Sequence, residues 1–145
     1  MQTTTSGNGF ALILGSSVTL TGVEFGACPS SIHIYAGQQC IVFVNANYTI
    51  SGSAGFHYYA EVGGIIYVVG GLTTTVSGTP AFTTFANATN LGTIRSTSQT
   101  FSGSATGTRC SVSVNAIIVG TGTAANGTYF PGNAAGSTAT GGQFT

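Results

Sequence analysis

Charge is almost missing from this chain. Of 145 residues only Glu24, Glu61, Arg95 and Arg109 are formally charged, so 3% stands where an ordinary soluble domain carries roughly 25%. Aspartate and lysine are absent, and the formal net charge is zero. A chain without a basic stripe lacks the electrostatic footprint that phosphate backbones or anionic membranes require, so nucleic acid is not an expected partner. A surface with so little self-repulsion tends to associate. The chain is therefore expected to sit in an oligomer, or to be built into a larger particle.

Long hydrophobic runs are missing too. The best one, around Ile65-Ile66-Tyr67-Val68-Val69, is strand-length and far short of the ~20 residues of a spanning helix, so membrane insertion is not expected. The start, Met1 to Gly9, has neither a basic nor a long apolar region and does not read as a secretion signal. Proline occurs only as Pro29, Pro80 and Pro131, beside Ser, Ala or Gly, which leaves the apolar segments free for ladder hydrogen bonding.

What the chain has is repetition. Four copies of one phrase recur: Thr19-Leu20-Thr21-Gly22, Thr49-Ile50-Ser51-Gly52, Thr75-Val76-Ser77-Gly78 and Thr100-Phe101-Ser102-Gly103. A looser fifth copy runs from Thr128 to Gly132. The glycines are 30, 26, 25 and 29 residues apart. A period in this range marks a repeat architecture. Between the phrases lie short alternating segments bounded by turn residues, and no 3.6-residue apolar period appears. One apolar column is read at Leu20, Ile50, Val76 and Phe101, a second at Cys40, Ile66, Leu91 and Val119. Stacked columns predict an all-β fold, a parallel right-handed β-helix of about five rungs. An antiparallel β-sandwich is the alternative. Residues 1–9 are expected as a flexible polar leader, 10–131 as the solenoid and 132–145 as a Gly/Ala/Ser/Thr-rich cap or tail.

Candidate chemistry is sparse. Glu24 and Glu61 fall at different stations of the repeat, so a paired-carboxylate site for polysaccharide cleavage is not expected within one chain. His33 and His57 have no neighbours at metal-ligand spacing and read as packed or interfacial; no metal or cofactor is expected. Gly120-Thr121-Gly122-Thr123-Ala124-Ala125 formally matches a dinucleotide fingerprint, but no acid follows Glu61 and Asn126-Gly127 opposes a helix; it reads as a turn. Asn47, Asn87 and Asn126 begin glycosylation sequons and read as turn asparagines. Of three cysteines, Cys40 and Cys110 fall in apolar columns. Cys28, beside Pro29, is expected to be exposed and to staple neighbouring subunits, or else to pair with Cys40. Thr19, Thr21, Thr49, Ser51, Thr75, Ser77, Thr100 and Ser102 would form an outward hydroxyl ladder, a surface like that of ice-binding solenoids.

The run from Thr100 to Gly107 and the ending from Tyr129 to Gln143 resemble the C-terminal region of β-helical phage and prophage virion proteins. The likeness covers roughly the last 70 residues well and the earlier rungs only in pattern. It brings no catalytic residue. It implies a non-enzymatic structural protein on the virion surface, a capsid decoration or cement protein or a short tail fibre or spike. Its implied partners are a homotrimer of itself, a major capsid or tail protein, and a host surface glycan. The polar leader with no attachment domain before the solenoid favours a decoration protein or a detached fibre tip.

Overall fold

The computed structural model describes residues 7–12, 14–121 and 128–145. Through the first four coils the chain visits three sheets in rotation. The first coil holds β1 (Phe10–Leu12), β2 (Ser17–Leu20) and β3 (Glu24–Phe25). The second holds β4 (Cys28–Ala36), β5 (Ile41–Val44) and β6 (Tyr48–Ile50). The third holds β7 (Ala54–Ala60), β8 (Ile65–Val68) and β9 (Thr73–Val76); the fourth β10 (Ala81–Ala88), β11 (Thr93–Ser96) and β12 (Thr100–Ser102). The fifth supplies β13 (Thr106–Val112) and β14 (Ile117–Val119), and β15 (Ser137–Thr138) and β16 (Gln143–Phe144) begin another. Sheet A is β1-β4-β7-β10-β13-β15, sheet B is β2-β5-β8-β11-β14-β16, and sheet C is β3-β6-β9-β12. Every strand pairing is parallel, which makes this a β-solenoid of about five turns and rules out the antiparallel sandwich.

The rungs stack because inward positions repeat. On sheet B, Val18, Val42, Ile66, Ile94 and Ile118 lie one above the other. The last four of these are fully buried. Each coil alone has one layer of apolar side chains and no lid, and stacking supplies the missing contacts.

This register corrects the second column read from sequence. Ile66 and Cys40 are buried, but Cys40 lies at a corner just before β5 and does not stack on Ile66. Leu91 sits in a turn at 62% exposure, and Val119 is an outward-facing station where Ile118 is the inward one. Counting a constant offset from the phrase fails because the coils differ in length. Successive sheet-B stations are 24, 24, 28 and 24 residues apart.

The phrase copies also occupy different places. Thr19-Leu20 lies on sheet B, whereas the copies at Thr49 and Thr75 lie on sheet C in mutual register. The fourth copy slips by two, so that Ser102, not Thr100, pairs with Thr75. Of the first column, Leu20, Ile50 and Val76 are buried and Phe101 is half-buried. The stretch expected as a tail adds β15 to sheet A and β16 to sheet B. Of the expected leader, residues 1–6 lie outside the described residues, and Gly9 N–H donates to Ile32 O at 2.7 Å.

Candidate functional site

Two features stand out from this frame: a polar spine inside the solenoid, and an apolar ridge outside it.

The spine begins with two segments that align coil on coil, Ile32-His33-Ile34-Tyr35 and Phe56-His57-Tyr58-Tyr59, paired Ile32 to Phe56 and Ile34 to Tyr58. His33 and His57 therefore stack inside, both fully buried. His33 Nε2 lies 2.9 Å from Gly26 O; a carbonyl only accepts, so Nε2 carries the proton and Nδ1 accepts. His57 Nδ1, at 3.1 Å, must then donate to His33 Nδ1, which leaves His57 Nε2 to accept from Tyr48 OH at 2.8 Å. Tyr48 OH also bonds Tyr58 OH.

The spine continues through Gln99, a buried amide. Its Nε2 donates to Thr74 Oγ1 at 2.6 Å and reaches Tyr58 and Tyr48 at 3.2 and 3.3 Å; its Oε1 accepts from Ser96 Oγ at 2.5 Å. Tyr129 ends the spine, its hydroxyl donating to Ser96 O and accepting from Gln99 N–H at 3.2 Å. Among the described residues no buried side-chain nitrogen or oxygen lacks a partner, so the polar groups are retained at little desolvation cost. Burial holds the His33 pKa down at about 4, against a helping bond to Gly26 O, and burial with the neighbouring His33 holds His57 well below 6.5. Burial pushes Tyr48 up to about 12 and Tyr58 well above 10. Both imidazoles are thus neutral. The sequence marks this pair by the two aligned tetrapeptides, a signal that a search for ligand spacing passes over.

The ridge lies at the corner between sheets A and B. Each passage there uses two consecutive residues with positive φ: Leu14/Gly15, Gln38/Gln39, Val62/Gly63, Asn90/Leu91, Val114/Asn115 and Thr140/Gly141. An i to i+3 bond closes five of these turns, for example Gly64 N to Glu61 O at 2.8 Å and Gly92 N to Thr89 O at 2.9 Å. Positive φ at both central residues with that bond is the pattern of a type I′ turn. The turns also bond to one another along the stack, Gly15 N to Gln38 O, Gln39 N to Val62 O, Gly63 N to Asn90 O, Leu91 N to Val114 O and Asn115 N to Thr140 O. Gly and Asn adopt this conformation readily; a β-branched residue does so at roughly 1 kcal/mol or more. Val62 (φ 50°) and Val114 (φ 52°) nevertheless sit there, exposed.

The large exposed hydrophobics cluster on this side. Leu14, Val62, Leu91 and Val114 crown the corner, and Phe43 and Ile117 face outward from the adjoining sheet B. Half-buried Ile41, Ile65, Tyr67 and Val119 share this face, with the Thr93/Arg95 rung between Ile65/Tyr67 and Ile117/Val119. Phe43 and Tyr67 pack with ring centroids 5.8 Å apart, and Arg95 caps the row, its guanidinium 5.0 Å from the Tyr67 centroid.

Other candidate residues land as follows. Cys28 is 0% exposed at the start of β4, its thiol packed near Gly9, so the expected exposed staple is corrected; Pro29 beside it is exposed and does not carry the thiol outward. Cys28, Cys40 and Cys110 are all buried and none is in a disulfide. The hydroxyl ladder divides. Thr49, Thr75 and Ser102 form one column on sheet C with Glu24 below Thr49, whereas Thr100 pairs with Thr73. Ser51, Ser77 and Thr21 are exposed beyond the strand ends, and Thr19 belongs to sheet B beneath Phe43. The flat array that ice binding needs is reduced to a few rungs. Glu24 accepts from Ser51 Oγ at 2.6 Å on sheet C, and Glu61 accepts from Tyr35 OH at 2.6 Å at the A–B corner, so the two carboxylates are not brought together. Among the described residues no three His, Cys, Asp or Glu side chains cluster to hold a metal. Asn47 behaves as a turn asparagine, accepting Thr73 N–H at 2.8 Å, but Asn87 lies within β10. Asn126 and the end of the Gly120–Ala125 run lie outside the described residues.

No protein-family model, curated protein or solved structure matches this chain.

Proposed function

We propose that this β-solenoid is a non-enzymatic structural module of a bacteriophage particle, exposed at its surface as a capsid decoration or cement protein or as a short tail fibre or spike. The observation that carries the assembly part is the outer face of sheet B, where Ile41, Phe43, Ile65 and Tyr67 form an apolar surface on two adjacent rungs, and Ile117 and Val119 lie beyond the Thr93/Arg95 rung. A monomer gains nothing from presenting such a face to water, and large contiguous apolar patches mark interaction sites. A chain with 3% charged residues has little to keep such faces apart. The virion assignment rests on the resemblance of Thr100–Gly107 and Tyr129–Gln143 to β-helical phage proteins. Its partners on this reading are copies of itself, a major capsid or tail protein and a host surface glycan.

The test is direct. Mass spectrometry and immunogold labelling of purified particles, from the strain that carries the gene, are expected to place the chain on the particle surface. Absence from the particles, or turnover of polysaccharide by the purified protein, overturns the reading.

A further inference from the structure

We infer that the buried histidine–tyrosine spine is a reversible proton relay. In this pH-sensitive device His33 and His57 together take up one proton and no second, the hydrogen bonds from His57 to Gln99 reverse direction, and the coils stay stacked.

Three observations carry it. First, the spine can satisfy its bonds in two ways. With the pair neutral, His33 Nε2–H donates to Gly26 O at 2.9 Å, His57 Nδ1–H to His33 Nδ1 at 3.1 Å, and Tyr48 OH to His57 Nε2 at 2.8 Å. Tyr58 OH then donates to Tyr48 OH. A proton added at His57 Nε2 turns that nitrogen into a donor, and a tyrosine hydroxyl can both give and accept. Tyr48 then accepts from His57 and donates to Tyr58, whose own proton swings to Gln99 Oε1 at 3.4 Å. An amide oxygen has two lone pairs, so Gln99 takes this bond beside the one from Ser96 Oγ at 2.5 Å. Nothing is left unpaired, and the reversed spine holds one proton more than the neutral one.

Second, the contact between the two Nδ1 atoms limits the uptake. They lie 3.1 Å apart with one proton between them, and in the charged pair that proton bridges an imidazole and an imidazolium. The Gly26 carbonyl draws the charge toward His33, since it accepts from His33 Nε2–H. A second proton would set two N–H donors head to head. Neither ring has room to turn aside: His33 stacks on Phe25 at 5.3 Å between centroids, and His57 lies 4.8 Å from Phe85 and 4.3 Å from Tyr58.

Third, the surroundings leave the relay to hold the proton by its own bonds. The titratable groups facing the pair are Tyr48 from β6 and Tyr58 from β7. From β3, Phe25 packs inward while Glu24 faces out and accepts from Ser51. From β4, Tyr35 reaches outward to Glu61, and Cys28 is buried at the strand's start. From β10 come Phe82 and Phe85. The charge of the amino terminus opposes a cation at His33, and burial opposes it more, so uptake is confined to acid pH. A proton taken up between the second and third coils resets donors as far as Gln99 in the fourth.

The experiment reads the ring nitrogens directly, by long-range 1H–15N correlation spectra of the full 15N-labelled chain from pH 7.5 downward, with circular dichroism beside it. At pH 7.5 protons are expected on His33 Nε2 and His57 Nδ1. On acidification His57 Nε2 is expected to gain a proton in one step, while the two Nδ1 atoms continue to share one and the β-rich spectrum is kept. Tyr48→Phe removes the acceptor that His57 Nε2–H needs, and is expected to weaken proton uptake about tenfold or more, with the neutral tautomers unchanged. Opposite tautomers at pH 7.5, protons on both Nδ1 atoms in the folded chain, or loss of the fold in the step that protonates the histidines each overturns the relay. So does uptake unchanged in Tyr48→Phe; should that variant not fold, the wild-type spectra alone decide.

Discussion

His33 and His57 show how burial sets a residue's chemistry. Each imidazole keeps one proton because each has one acceptor and one donor facing it, and the solenoid interior offers no solvent for a charge. In the unfolded chain both titrate near 6.5, whereas His33 stays neutral in the fold down to about 4 and His57 is shifted in the same direction. The unfolded state therefore binds more protons below pH 6.5, and stability falls as pH drops through that window. For His33 alone the fall from pH 6.5 to about 4 amounts to roughly 3 kcal/mol. Urea denaturation at pH 7.5, 5.5 and 4.5 is expected to show it, and the double variant His33→Gln/His57→Gln is expected to flatten the dependence even if it is less stable overall. An unchanged slope in that variant would assign the acid sensitivity elsewhere. Gln99 is a second such residue. Replacing it with Leu leaves the Thr74, Tyr58 and Ser96 hydroxyls without their amide partner, at an expected loss of about 2–4 kcal/mol read as a lowered urea midpoint. A loss below ~0.5 kcal/mol would mean that the spine repairs itself.

At the scale of the element, the corner turn matters more than the strand. The residue closing the turn at Gly64 and Gly92 lies against the backbone of the coil below, so a β-carbon at Gly92 would collide with the Ala60 carbonyl. Backbone cannot retreat without opening the sheet-A ladder. Gly92→Ala is accordingly expected to cost about 3 kcal/mol or more, as other overpacked sites do, with a melting temperature to match. The strands of sheet C give a paired test of register. Val76 is buried above Ile50, and Thr75 points outward. Val76→Asp is expected to abolish folding, since it buries a carboxylate among apolar side chains, while Thr75→Ala should be nearly silent. Equal losses from both would sink the register. The alternation that fixes these two residues was legible in sequence, because period-2 direction is a local property of a strand. The slip of Ser102 onto Thr75 was not, because it depends on how many residues the preceding linkers hold.

For the whole molecule, stability is the sum of stacked coils, and its pH limits come from the same core. Tyr48, pushed up to about 12, and Tyr58, pushed higher than its usual value, stay protonated in the fold when unfolded tyrosines begin to ionise near 10. The unfolded state then binds fewer protons, so stability falls again above pH 10. Thermal melts across pH 4 to 11 are expected to show a plateau from about 7 to 9 bounded by these two declines. A profile flat below 6.5 would contradict the buried histidine pair. Outside the core, only four side chains carry formal charge, and the exposed large hydrophobics gather on the A–B corner and the adjoining sheet B.

The sequence by itself determined that this is an all-β repeat. Short alternating segments, turn residues and a period near 25 are local signals of such a repeat, and stacking buries the apolar side of each unit. It also marked Leu20, Ile50 and Val76 as core, because each faces inward wherever its strand lies. Only the tertiary structure decided which rung rests on which. Coils of unequal length displaced Leu91 and Val119 from the core and split the hydroxyl ladder between two sheets, and Cys28 proved to be an inward station of β4 above which Ala54 stacks. It likewise decided that two histidines 24 residues apart share a proton network and that four hydrophobic residues line one edge. Direction along a strand is set by neighbouring residues, whereas register is set by the full circuit of each coil.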